Sequence, residues 1–199
     1  MKEIVIIEKP DSVSWEEIRN TLIEAHRENL KNGLVVRSTM LTSEQLREQV
    51  GDGQCFLAYD GDKLVGVSAV RIKQCNQWFC HGKVAHFLLD SVIIDYQGRG
   101  IYSLLQKARY SYVEEKGITI ITTNTAENNK RMVSLLPKLG FHRAAMFHAI
   151  DTDHYSITWV KWLSEEPCKC IRWIRYGESL VKSKVRYFIH SLKIKLIHK

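Results

Sequence analysis

Phe87-Leu-Leu-Asp-Ser-Val-Ile-Ile-Asp-Tyr-Gln-Gly-Arg-Gly-Ile-Tyr-Ser-Leu-Leu-Gln-Lys107 changes periodicity half-way along, and that change decides the fold. Phe87 to Ile94 is apolar, interrupted only by Asp90 and Ser91, and it ends in turn residues; such a run reads as a buried strand. Asp95 to Gly100 follows, with Gly98 and Gly100 two apart in a tight turn. From Ile101 the apolar residues Ile101, Leu104, Leu105 and Ala108 fall at helical spacing. Strand, glycine turn and helix N-terminus together aim free backbone N–H groups at an anion, most often a phosphate.

The spacing excludes two phosphate-binding families. A P-loop needs Lys-Ser or Lys-Thr after its second glycine, where this chain has Ile101-Tyr102. A dinucleotide fingerprint needs a third glycine, and position 103 is Ser. Gln97-Gly98-Arg99-Gly100-Ile101-Tyr102 instead follows Q/R-x-x-G-x-G/A, with Tyr102 departing at the last place. The chain therefore resembles the GNAT acetyltransferase superfamily, whose loop of this form holds the pyrophosphate of acetyl-coenzyme A. A second stretch, Asn124 to Phe141, is similar to the family's other hallmark, an Asn-bearing helix closed by Lys-x-Gly-Phe, here Lys138-Leu-Gly-Phe141.

The resemblance implies an α/β fold: a mixed, mostly antiparallel sheet with helices on both faces. It also implies acetyl-CoA as acyl donor, with pantetheine along Val92, Ile93 and Ile94. The pyrophosphate would meet backbone N–H groups of Gln97, Gly98, Arg99, Gly100, Ile101 and Tyr102, and Asn129 would add a further contact. Tyr102 is expected to turn its ring to the outer face of the helix. Members often carry an acid about eleven residues before the position of Gln97, which here is His86. Imidazole titrates near 6.5, so His86 is expected to accept a proton from the acceptor ammonium. Asp90, four residues on, is expected on the same strand face by the period of two, making an acid–base pair. The Tyr that commonly protonates the thiolate falls at Leu136, which cannot donate; Ser134 and Tyr102 are the nearest hydroxyl substitutes. The predicted activity is N-acetyl transfer to a primary amine, such as an amino sugar, another small molecule or a peptide. The alternative is a non-catalytic coenzyme A binding or interaction module.

The remainder fits around that centre. Ile4–Ile7 reads as a first strand, and Ser12 or Ser14 as the cap of a helix carrying Trp15, Ile18, Leu22 and Ala25. A second helix starts at Thr42 or Ser43. This helical pair is where the family builds part of its acceptor pocket; His26 on the first helix reads as an exposed or satisfied histidine, with contact to the substrate as the other reading. A hairpin turns at Asp60-Gly-Asp62, and residues 73–82 read as a loop or hairpin tip. Ile118–Thr123, Arg143–Ile150 and Tyr155–Trp162 read as strands, the last two turning at Asp151–His154.

Of 29 Lys and Arg, nine lie in residues 167–199 beside a single acid, Glu178, whereas the other 20 face 21 acids in residues 1–166. The net charge of +7 therefore belongs to the tail. Residues 1–166 read as the acyltransferase domain and 167–199 as a basic amphipathic helix, broken at Gly177. Three readings of that helix stay open: peripheral contact with an anionic membrane, packing on its own domain or a partner chain, and nucleic-acid binding without a recognised motif. No specific nucleic acid is expected, and an oligomer is compatible with the sequence. Cys55, Cys75, Cys80, Cys168 and Cys170 lack metal-ligand spacing, so no metal is expected; their odd number and the lack of an export signal point to reduced thiols and a cytoplasmic chain.

Overall fold

The computed structural model describes residues 3–33, 36–148, 154–167 and 169–197. Seven strands form a mixed, mostly antiparallel sheet in the order β1-β2-β3-β4-β5-β7-β6. The chain gathers into two compact units, residues 1–73 with 85–118 and residues 74–84 with 119–199. The boundary expected at 166/167 falls inside the second unit.

The first unit holds β1 (Ile4–Glu8), α1 (Trp15–Ala25), α2 (Arg27–Lys31), α3 (Arg37–Met40), α4 (Ser43–Val50) and β2 (Gln54–Asp60). It also holds most of β3 (Lys63–Gln77) and β4 (Cys80–Val92), a 3₁₀ turn at Ile94–Tyr96, and α5 (Ile101–Glu115). Ser14 caps α1 by accepting the Glu17 N–H. Thr42 and Gln45 close a reciprocal capping box on α4, which satisfies two N–H groups at that helix start. One sheet face buries Leu57, Val67 and Leu89 against Ile18 and Leu22 of α1 and Leu46 of α4. The other face meets α5, where Phe56 contacts Tyr112 and Phe87 contacts Tyr110 edge-on at 6.1 and 5.6 Å. Each fully buried aliphatic side chain contributes about 1.5–3 kcal/mol of transfer free energy.

The second unit contains the β3–β4 hairpin end, β5 (Ile120–Ala126), α6 (Lys130–Lys138), β6 (His142–His148), β7 (Tyr155–Trp162) and α7 (Lys169–Ile197). Of the two readings of residues 73–82 the hairpin tip is the one found, between β3 and β4, and the pairing brings Cys75 and Cys80 to a Cα separation of 5.7 Å. They are joined as a disulfide, which corrects the expectation of reduced thiols for this pair. Cys55 and Cys170 are free. Residues 149–153, which hold most of the turn expected at Asp151–His154, and Cys168 lie outside the described residues.

α7 runs unbroken through Gly177, whose cost of about 1 kcal/mol relative to Ala the longer helix absorbs. One of its faces packs on β6, the last strand of the sheet. There Ser179 Oγ accepts the Met146 N–H at 3.0 Å, and Tyr187 stacks on His148 at 4.2 Å. A helix over a sheet edge removes unpaired strand groups from water. Away from that face, Ile171, Ile174, Val181 and Val185 stand half or more exposed.

Candidate active site

The expected pyrophosphate loop takes the geometry its glycines permit. Gly98 and Gly100 adopt φ of +76° and +79°, the left-handed region that a Cβ disfavours. Gly100 is the N-cap of α5, with no side-chain cap. The N–H groups of Gly98, Arg99, Gly100, Ile101 and Tyr102 have no hydrogen-bond partner among the described residues, and they cluster at the positive end of a fifteen-residue helix. Gln97 is the exception to the expected set. Its N–H donates to Ile94 O at 3.1 Å, and its side-chain amide donates to Val92 O at 3.0 Å, so it braces the loop. The Arg99 guanidinium sits 4.7 Å from the centre of the Tyr96 ring, while Tyr96 donates to Asp60 at 2.9 Å. Ile93 N–H donates to Val65 O, which fixes the strand end before the loop.

β4 departs from the expected alternation. Leu89 has φ of +60°, a left-handed residue in mid-strand, and both Leu88 and Leu89 pack on the α1–α4 core. Two successive residues on one face are the mark of a bulge. Phe87 before it and Asp90 after it consequently share one face, where both reach Arg109 of α5: its Nη1 is 2.6 Å from Asp90 Oδ1 and its guanidinium carbon 4.1 Å from the Phe87 ring centre. His86 is on the face opposite Phe87. The expected His86–Asp90 pair is thus corrected, because the extra residue reverses the period of two beyond Leu89.

Asp90 is engaged. Besides pairing with fully buried Arg109, it accepts the Ser68 hydroxyl at 2.7 Å. His86 also differs from its expected basicity. Burial, and then the charges of Lys73 and Arg71, push its pKa down to about 3, so it is neutral across the physiological range. Tyr102 turns inward rather than outward, with its hydroxyl accepting from Gln106 Nε2 at 2.6 Å. Burial and the Asp90 carboxylate push its phenol up to about 12, making it a reluctant proton donor.

In the second unit Asn129 is the N-cap of α6, where its Oδ1 accepts the Met132 N–H at 3.2 Å and leaves the amide NH₂ as its donor. Leu136 is buried in the same helix.

One contact of His26 lies beyond any local sequence pattern. His26 joins α1 to α2, and its Nε2 lies 2.9 Å from Ser91 Oγ on β4 while Asn29 Nδ2 lies 3.1 Å from its Nδ1. Sixty-five residues separate His26 from Ser91, so no local pattern could join them. A cavity of about 550 Å³ opens between α1 and the end of β4, lined by Glu17, Asn20, Thr21, Glu24, Ile93 and Asp95 among others. Among the described residues no helix is long and apolar enough to cross a membrane, and no three His, Cys, Asp or Glu are placed to hold a metal.

The sequence signature of the Acetyltransferase (GNAT) family matches residues 15–141, well over half of the chain. The chain belongs to the GNAT acetyltransferase family. It is 34% identical over 90 residues to an N-alpha-acetyltransferase MAK3 of Arabidopsis thaliana, a match that spans 45% of each chain. In fold it is similar to the ribosomal-protein-S18-alanine N-acetyltransferase of Escherichia coli, with a TM-score of 0.61 and 14% identity. That likeness covers 84% of this chain and 98% of the other. It is also similar to a GNAT family acetyltransferase of Elizabethkingia anophelis with acetyl-CoA bound, at a TM-score of 0.59 and 14% identity over 82% and 100% of the two chains. These likenesses carry the GNAT fold.

Proposed function

We propose that this chain transfers an acetyl group from acetyl-CoA to a primary amine. The observation that carries the proposal is the row of unpartnered N–H groups from Gly98 to Tyr102 at the start of α5. Five such donors on a helix dipole suit a diphosphate, and their main-chain origin explains why the loop depends on glycine shape more than on side chains. Val92, Ile93 and Ile94 would run beside the pantetheine, Arg99 would add charge at the phosphates, and the Asn129 amide would supply a further donor. A GNAT structure of similar fold holds acetyl-CoA, in keeping with this donor.

The acceptor enters as a cation and reacts as a neutral amine. The cavity beside Ile93 carries Glu16, Glu17, Glu24 and Asp95 against the single cation Lys63, a net acidic lining suited to draw in an ammonium group. His86, buried and neutral, would act as a hydrogen-bonding group rather than as a base, and Asp90 keeps Arg109 in place. Similarity to an N-alpha-acetyltransferase and, in fold, to an alanine N-acetyltransferase favours the α-amino group of a peptide over an amino sugar. No observation favours the non-catalytic alternative.

α7 gives the chain its partner surface. Its exposed stripe of Ile171, Ile174, Val181 and Val185 lies among Lys182, Lys184 and Arg186, a pattern suited to the surface of an anionic membrane on the cytoplasmic side.

Thiol release from acetyl-CoA tests the activity, with a tetrapeptide bearing a free N-terminus, glucosamine and spermidine as acceptors. Turnover is expected with at least one acceptor, the tetrapeptide first. Binding of acetyl-CoA without turnover on any of the three would contradict the enzyme reading.

A further inference from the structure

We propose that Ser91, held by His26, passes the proton of the attacking amine to the departing thiolate. This rests on the acetyl-transfer reading above and supplies the step that Leu136 leaves open.

The network assigns its own protons. Asn29 Nδ2 can only donate, so His26 Nδ1 accepts and Nε2 carries the hydrogen that is donated to Ser91 Oγ. That bond occupies one lone pair of Ser91, and its other lone pair and its own O–H remain for a second partner. Ser91 is buried and immediately precedes Val92, where the pantetheine chain would begin. Its side chain faces α1, as does the cavity lined by Thr21, Glu24 and Ile93. Burial lowers the pKa of His26, which keeps the ring in the neutral tautomer. A charged ring would put a second donor against Asn29 and break the arrangement.

The competing groups are otherwise occupied. Asp90 is held by Arg109 and Ser68 on the opposite face, and the Tyr102 hydroxyl is bound to Gln106 beside α5.

The step balances without a further reagent. The neutral amine adds to the thioester carbon, forming a C–N bond and leaving one excess proton on nitrogen. As the C–S bond breaks, Ser91 Oγ takes that proton while its own passes to sulfur. The products are an amide and a thiol, and the hydroxyl is restored. His26 is a positioning residue, since it acts only through Ser91.

The test uses the full chain and the acceptor of the panel that wild type acetylates fastest. Ser91→Ala is expected to lower kcat with acetyl-CoA by at least about 10²-fold, the range of general acid–base catalysis, and to leave the KM for acetyl-CoA unchanged. With S-phenyl thioacetate as donor, whose thiophenolate leaves without a proton, the same variant is expected to match wild type. His26→Gln keeps a donor toward Ser91 and should retain most of kcat, whereas His26→Leu should lose about ten-fold at unchanged thermal stability. Wild-type kcat in Ser91→Ala, or equal loss with both donors, would overturn the relay while leaving acetyl transfer standing. A wild type that binds acetyl-CoA and turns over no acceptor would overturn both.

Discussion

Asp90 shows how a residue of catalytic type can be committed to the fold. Its carboxylate is the counter-charge of Arg109, a guanidinium with no exposure to solvent, and it also accepts the Ser68 hydroxyl. Removing one partner of a buried ion pair strands the other charge away from water, at about 3–5 kcal/mol. Asp90→Ala is therefore expected to lose about that much stability in urea denaturation, with an unchanged slope. A loss below about 1 kcal/mol would mean that Arg109 finds solvent or another partner. His86 teaches the converse at the same scale. Its type and place in the chain suggest a base, but residue type does not reveal burial beside Lys73 and Arg71, and those set its basicity.

At the level of elements, the strand–turn–helix of residues 87–107 was legible because the change of period and the two glycines agree there. The bulge at Leu89 was not legible. A leucine carries no signal for positive φ, and the bulge exists because both Leu88 and Leu89 find places in the α1–α4 core. One unforeseen residue of strand was enough to separate His86 from Asp90. α7 likewise reads as amphipathic, and its sequence left open whether membrane, partner or own domain takes its apolar residues. The structure puts Ser179 and Tyr187 against β6 and leaves a second apolar stripe exposed. That stripe makes the membrane proposal testable without disturbing the packed face. Ile174→Glu with Val181→Glu, both 63% exposed in the native chain, should preserve thermal stability and abolish sedimentation with phosphatidylserine vesicles. Equal sedimentation of wild type and the double variant would remove the membrane reading.

For the whole molecule, the family and its mixed, mostly antiparallel sheet follow from two short motifs, and most other elements fall within a few residues of their expected limits. What escaped the sequence was long-range: His26 meeting Ser91, Cys75 meeting Cys80 across a hairpin, and Tyr102 turning inward. Each depends on which residues the sheet brings together. The central claim is that the α5 N-terminus binds the diphosphate of acetyl-CoA. Gly100→Glu places a negative charge among those N–H groups, at a position where a Cβ meets nothing within 4 Å but the left-handed φ costs about 1 kcal/mol. Isothermal titration calorimetry with acetyl-CoA is the most direct measurement, made on wild type and on Gly100→Glu after circular dichroism has shown the variant folded. The account predicts one-to-one binding to wild type and at least about 10²-fold weaker binding to the variant, from lost donors and added repulsion. No binding to wild type, or equal binding to both proteins, would contradict it.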